Sequence, residues 1–127
     1  MFLKKLFGTS STRYIKKISP EIQKINDFYD SLSSKSDQDL VDRTNELKKI
    51  ISDSREDIKS QFENDVDSKD LKKKILEAEQ KALDNIMIEA FAMVKETCRR
   101  MVGQSFRVSG QNAEWNMIPY DVQLLGA

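Results

Sequence analysis

Residues 71–101, LKKKILEAEQKALDNIMIEAFAMVKETCRRM, run without a proline or a glycine. Within them Leu71, Ile75, Ala78, Ala82, Ile86, Ala90, Val94, Thr97 and Met101 recur every three or four positions, the period of one face of an α-helix. Ser68 stands ahead of this run as a candidate N-cap. Arg99 and Arg100 suit the negative end of a helix dipole, and Gly103 can take the left-handed conformation that closes a helix. At 1.5 Å per residue the helix is on the order of 50 Å long, so the chain reads as mainly α.

Working back from it, residues 63–70, ENDVDSKD, combine turn formers with like charges and read as the bend of a helical hairpin. Ser36 and Asp39 form a capping-box pattern, with Asp in place of the usual Glu or Gln. They open a helix whose seam is Leu40, Thr44, Leu47, Ile51, Ile58 and Phe62 and whose outer face is charged. Further back, Ile15, Ile18, Ile22, Ile25, Tyr29 and Leu32 make another seam. Pro20 interrupts it and leaves two readings open: Ser19 caps a new helix, or one long helix bends at the proline. Gly8 and the cluster Thr9–Thr12 separate this region from Phe2, Leu3, Leu6 and Phe7, an apolar arc opposite Lys4 and Lys5 that predicts a short amphipathic helix.

Working forward, the helical period is lost after Gly103. Ser105–Gly110 reads as a strand and turn, giving a short β-hairpin near 105–116, and Pro119 precedes the start of another helix, Tyr120–Leu125. Three regions follow: residues 1–8, a basic amphipathic helix; residues 9–103, a helical region with a charged hairpin insert at about 52–82; and residues 104–127, loop and final element.

Composition narrows the chemistry. Cys98 is the only cysteine and histidine is absent, which excludes disulfide frameworks, Cys/His zinc sites and Ser/His or Cys/His catalytic pairs. No catalytic residue and no metal ligand set is expected. Cys98 itself reads as a small buried hydrophobe. Residues 1–20 carry five bases and no acid, while the whole chain has formal net charge zero; the basic end is local, so no nucleic-acid partner is expected. No apolar run approaches the roughly 18 residues of a membrane span, and a cytoplasmic protein is expected. Phe2, Leu3, Leu6 and Phe7 are suited to dip into a lipid interface while Lys4 and Lys5 meet anionic headgroups.

The final segment Tyr120-Asp121-Val122-Gln123-Leu124-Leu125-Gly126 resembles the aromatic-Asp-Val-Gln-Leu-Leu-Gly element of the SecA family of ATP-driven protein-translocation motors. Asp37-Gln38-Asp39-Leu40 with Arg43-Thr44 and Glu46-Leu47 is similar to that family's Asp-Glu-Glu-Leu, Lys-Thr, Glu-Phe pattern. Glu89-Ala90-Phe91-Ala92, followed by Val94, Glu96 and Arg100, is similar to its next helix, and Met1–Phe7 to its amphipathic start. Two departures stand out: Ile88 replaces a usual proline, and the charged stretch Ser52–Lys81 matches only longer-insert variants.

The resemblance implies the N-terminal portion of an α/β RecA-like P-loop motor domain, with ATP and Mg²⁺ as cofactors of the whole motor. It implies that Gln123 reads adenine through its amide, with Tyr120 and Met117 covering the base; Trp115 is assigned to packing. It implies the SecYEG channel, preproteins and anionic phospholipids as partners, a homodimer as one arrangement of the whole motor, and a peripheral position on the cytoplasmic face of the plasma membrane. The Walker A pattern needs two glycines five apart followed by lysine, and Gly8, Gly103, Gly110 and Gly126 offer none, so the segment alone is expected to be inactive as an ATPase. The competing reading is a non-enzymatic helical adaptor or membrane-associated coiled-coil protein.

Overall fold

A computed structural model of the chain describes residues 10–62 and 69–127. The expected amphipathic helix with Phe2, Leu3, Lys4, Lys5, Leu6 and Phe7, the bend at 63–68 and the Ser68 cap lie outside the described residues. The elements in order are α1 (Ser10–Ser31), a 3₁₀ turn (Leu32–Ser34), α2 (Asp37–Ser60), α3 (Lys69–Met101), β1 (Ser105–Val108), β2 (Gln111–Glu114) and α4 (Asp121–Gly126). The mainly α architecture with one small antiparallel sheet is as the periodicity predicts. Two compact units result, one made of Met1–Ser33 with Phe91–Ala127, the other of Ser34–Ala90.

Of the two readings of Pro20, one continuous helix is observed. Ser19 does not cap; its hydroxyl donates back to the Ile15 carbonyl at 2.6 Å. A proline inside a helix costs about 3 kcal/mol. Ile22, Ile25 and Leu32 are buried beyond it, each stabilising by roughly 1.5–3 kcal/mol, so the apolar stripe outweighs the missing bond.

In the unit Ser34–Ala90, both bonds of the capping box form: Ser36 Oγ accepts the Asp39 N–H at 3.0 Å, and Asp39 Oδ2 accepts the Ser36 N–H at 2.9 Å. Leu40 and Leu47 are buried with Leu71 and Ala82. Arg43 pairs with Glu89 at 2.6 Å and Arg55 with Glu79 at 2.6 Å. Early residues of α2 thus meet late residues of α3, the antiparallel pairing of a helical hairpin. The ammonium of Lys74 lies 4.7 Å from the centre of the Phe62 ring, a cation–π contact near the connected end of the pair.

Helix α3 continues without interruption through Ile88. Its seam departs from the expected one in the last third: Val94 is 54% exposed and Thr97 is exposed, while Ala92, Met93, Glu96 and Cys98 are buried. The expected line took four successive steps of four from Ala78 to Val94, and each such step overshoots a full turn by about 40°. Alternating steps of four and three from Ala82 pass instead through Ile86, Glu89, Met93, Glu96 and Arg100. The buried face therefore runs into charged residues.

Gly103, at φ 85°, closes α3 as expected. Its N–H donates to the Trp115 carbonyl at 2.9 Å, and the Trp115 N–H donates to the Gln104 carbonyl at 2.9 Å, extending the β1–β2 ladder. Val108 pairs with Gln111, which leaves a two-residue loop, Ser109-Gly110, with φ of 50° and 81°. Two successive positive φ values mark the mirror-image turn that matches strand twist. Among the described residues, no helix is long and apolar enough to cross a membrane.

Gly110→Val is expected to destabilise the hairpin by about 1–2 kcal/mol, because a side chain is strained in the left-handed region. Ser109→Gly should shift stability by less and in the opposite direction. Thermal unfolding followed at Trp115, whose ring centre lies 6.3 Å from that of Phe106, measures both.

Candidate functional site

The site is built on the last turns of α3, in the unit Met1–Ser33 with Phe91–Ala127. Glu96 is 1% exposed, and a lone buried carboxylate costs several kcal/mol. Arg99 and Arg100, three and four residues on, stand over the same face. The Arg99 guanidinium donates to both Glu96 oxygens, at 2.6 and 2.9 Å, and Arg100 Nε donates to Oε1 at 2.7 Å. A further nitrogen of Arg100 donates to the Leu32 carbonyl at 3.1 Å. The two arginines read as helix-end charges therefore hold a buried carboxylate, and Arg100 fastens the end of α1 to the end of α3. The hydrogen bonds from Arg99, opposed by desolvation and assisted by Arg100, hold the Glu96 carboxyl well below its usual range, at about 2.

Cys98 is buried, as expected of a small hydrophobe. One turn before Arg99, Lys95 leaves the helix about 100° around from Glu96. Its side chain is 14% exposed, its ammonium donates to Asn26 Oδ1 at 2.7 Å, and it lies 4.6 Å from the centre of the Tyr29 ring. Asn26 Nδ2 in turn donates to Asp121 Oδ1 at 3.1 Å. Lys95 and Asp121 are 3.9 Å apart. Helices α1, α3 and α4 thus meet at one polar junction, while Leu124 supplies the buried apolar contact of α4.

Beside this junction lies an open cleft of about 750 Å³, lined by Lys95, Val102, Asn116, Ile118, Tyr120 and Asp121 among others. Tyr120 is 73% exposed. Its backbone N–H donates to Gln123 Oε1 at 2.8 Å, closing the first turn of α4 from outside and fixing the direction of the Gln123 amide. Tyr120 has no hydroxyl bond to the helix; the cap here is the glutamine side chain. Met117 is half-exposed, and its carbonyl accepts from Trp115 Nε1 at 2.7 Å. Of the three residues expected to embrace a base, the fold joins Tyr120 to Gln123 directly. Met117 and Gln123 do not line the cleft that Tyr120 lines.

Chemically, an amide oxygen has two lone pairs. Gln123 Oε1 can keep the Tyr120 N–H and still accept from a purine amino group, while Nε2, which has no protein partner among the described residues, can donate to a ring nitrogen. That is the bidentate pattern by which glutamine reads adenine. The residues present fit the base of a nucleotide and not its phosphates. Among the described residues no group of acids or Cys/His side chains is arranged to hold a metal ion. Sequence reasoning missed Asn26, Lys95, Asp121 and the buried Glu96. Only the strict 3.6-residue progression along α3 signals Glu96; the other three are joined across 69 and 95 residues of chain, which no local pattern reveals.

The chain matches the family described as SecA DEAD-like domain over residues 3–127. It is 38% identical over 143 residues to the protein translocase subunit SecA of Chloroherpeton thalassium, covering 98% of this chain and 14% of the relative. It is 39% identical over 140 residues to that of Prosthecochloris aestuarii (96% and 14%) and 36% over 126 residues to that of Chlamydia felis (99% and 10%). The chain thus spans about a tenth to a seventh of the length of these relatives. No solved structure matches it.

Because the Glu96 carboxyl is depressed from 4.5 to about 2, its stabilisation is complete above pH 4.5 and is lost as pH falls toward 2. Glu96→Gln is expected to lower stability at pH 7, where both guanidiniums lose their counter-charge, and to flatten the acid limb of a stability profile measured between pH 2 and 7.

Proposed function

The chain belongs to the SecA family, and from that premise we propose that it serves as the N-terminal part of an ATP-driven protein-translocation motor, to which it contributes one wall of the adenine site. The observation that carries this reading is Gln123. It sits in the first turn of α4 with its amide oriented by the Tyr120 N–H, next to an aromatic residue that is 73% exposed and open to stack on a base. Stacking on an aromatic ring is worth ~1–3 kcal/mol, and an oriented amide discriminates between purines by a similar amount. Met117 is assigned to the other face of the base, supported by its exposed side chain.

ATP supplies the free energy of the whole motor. The role of this segment is recognition, because the phosphate-binding loop and the groups that hold Mg²⁺ are not among its residues. A wall that touches only the base binds nucleotide weakly, on the order of millimolar or worse. In the whole protein, Gln123→Ala should lower the preference for ATP over GTP by about tenfold, in line with the loss of one bidentate contact. Competition of the two nucleotides for the motor measures it, and an unchanged ratio removes Gln123 from the adenine site.

The relatives are protein translocase subunits, which supports preproteins as substrates and the SecYEG channel as docking partner of the whole motor. Residues 2–7 are assigned to the membrane surface on their pattern, with Phe2, Leu3, Leu6 and Phe7 entering the interface. Lys4 and Lys5 each contribute ~1 kcal/mol toward anionic lipid. The whole protein should sediment with anionic vesicles more than with neutral ones. Replacing Lys4 and Lys5 by glutamine should weaken that binding by roughly tenfold or more, and equal recovery on both vesicle types would count against the assignment.

A further inference from the structure

We propose that Lys95 is a positioning residue for purine discrimination, acting through Asn26 and Asp121 on the helix that presents Gln123. The proposal rests on the reading of Gln123 as the adenine contact and extends it to a residue of α3 that acts on α4.

Helix α4 has only six residues, far fewer than the roughly 12–15 that a helix needs to persist alone in water. Its place must therefore come from tertiary contacts. Leu124 supplies an apolar one, which is non-directional and tolerates rotation of the helix about its axis. The polar junction is directional. Lys95 has three donors and no acceptor, so the atom of Asn26 that faces it at 2.7 Å must be the amide oxygen. That choice turns the Asn26 NH₂ toward Asp121 at 3.1 Å, where a carboxylate can only accept. Lys95 thus selects which end of the Asn26 amide meets α4. The same ammonium attracts Asp121 directly at 3.9 Å and rests on the Tyr29 ring.

Asp121 is the first residue of α4 and Gln123 is the third. Two residues apart, their side chains leave the helix about 200° from each other, so tethering Asp121 against α1 and α3 turns Gln123 to the opposite side. Without the ammonium, Asp121 loses its direct ionic attraction and Asn26 loses the bond that holds its side chain against α3, so the short helix keeps only a loosened tether and can rotate. Gln123 would then lose its bearing on the base.

The test compares Lys95→Met, which keeps an apolar stem of similar length, with Lys95→Arg and Gln123→Ala in the whole motor, reading KM and kcat with ATP and with GTP. Lys95→Met is expected to raise KM for ATP about tenfold, the size of one lost charge-assisted bond, with a smaller rise for GTP, so that discrimination collapses while kcat moves little. Lys95→Arg, which retains a cation and donors, should restore discrimination to within about threefold of the parent. The combination Lys95→Met with Gln123→Ala should discriminate no worse than Gln123→Ala alone, since both act on one contact.

A ratio unchanged in Lys95→Met, or a double variant that falls further than Gln123→Ala, overturns the proposal while leaving the adenine reading intact. A ratio unchanged in Gln123→Ala removes the adenine reading itself, and the proposal with it. If Lys95→Met does not accumulate as folded protein, Asp121→Asn, made at a side chain 58% exposed, decides from the other end of the junction: a fall in discrimination supports the proposal and an unchanged ratio overturns it.

Discussion

A carboxylate with almost no access to water holds together the unit that carries the site. Glu96 is tolerable there because two guanidiniums share it, and Arg100 also donates to the Leu32 carbonyl. That carbonyl belongs to the turn that ends α1, where backbone acceptors have no helical partner. One cluster therefore meets two demands at once, neutralising a buried charge and satisfying a helix end. The asymmetry of such clusters matters more than their mean worth: a complete one is close to neutral against apolar packing, while removing a single member strands a buried charge. Few substitutions at Glu96, Arg99 or Arg100 are then compatible with α1 and α3 meeting as they do.

From that anchored end the chain has little freedom. Gly103 reverses it, the two-residue turn at Ser109-Gly110 sends it back, and Trp115 joins the returning strand to the segment after α3 through both its backbone groups. The hairpin is short and mostly exposed, so its role in this unit is to deliver residues 116–121 beside Lys95. A six-residue helix at the end of such a path borrows its position from its surroundings. Apolar contact through Leu124 supplies adhesion, and the Asn26–Lys95–Asp121 junction supplies orientation. Helix α4 is thus mounted on α1 and α3 and has little stability of its own.

Much of this was legible before any coordinates. The capping box at Ser36 and Asp39, the turn formers at Ser109 and Gly110 and the left-handed closure at Gly103 are local devices whose chemistry is contained in four or five residues. The final element was legible by likeness: Tyr120-Asp121-Val122-Gln123-Leu124-Leu125-Gly126, taken with three other stretches in the family's order, marks the family that the match over residues 3–127 establishes. The line along α3 failed where it preferred Val94 to Met93 and Glu96. Apolar character was allowed to override the helical period, and the period was the sounder guide.

The amino-acid order alone settled what depends on neighbours in the chain: which segments are helical and where the backbone needs a glycine. The fold alone settled what depends on partners far away in the chain: that Pro20 is carried inside a continuous helix, that Glu96 is buried as an ion, and that Lys95 faces Asn26 and not water. The reason is physical. Propensity, capping and turn geometry are short-range free energies summed residue by residue, whereas the cost of burying polar and charged groups depends also on what the packed chain brings within about 4 Å, and the pairs Arg100–Leu32, Lys95–Asn26 and Asn26–Asp121 lie 68 to 95 positions apart.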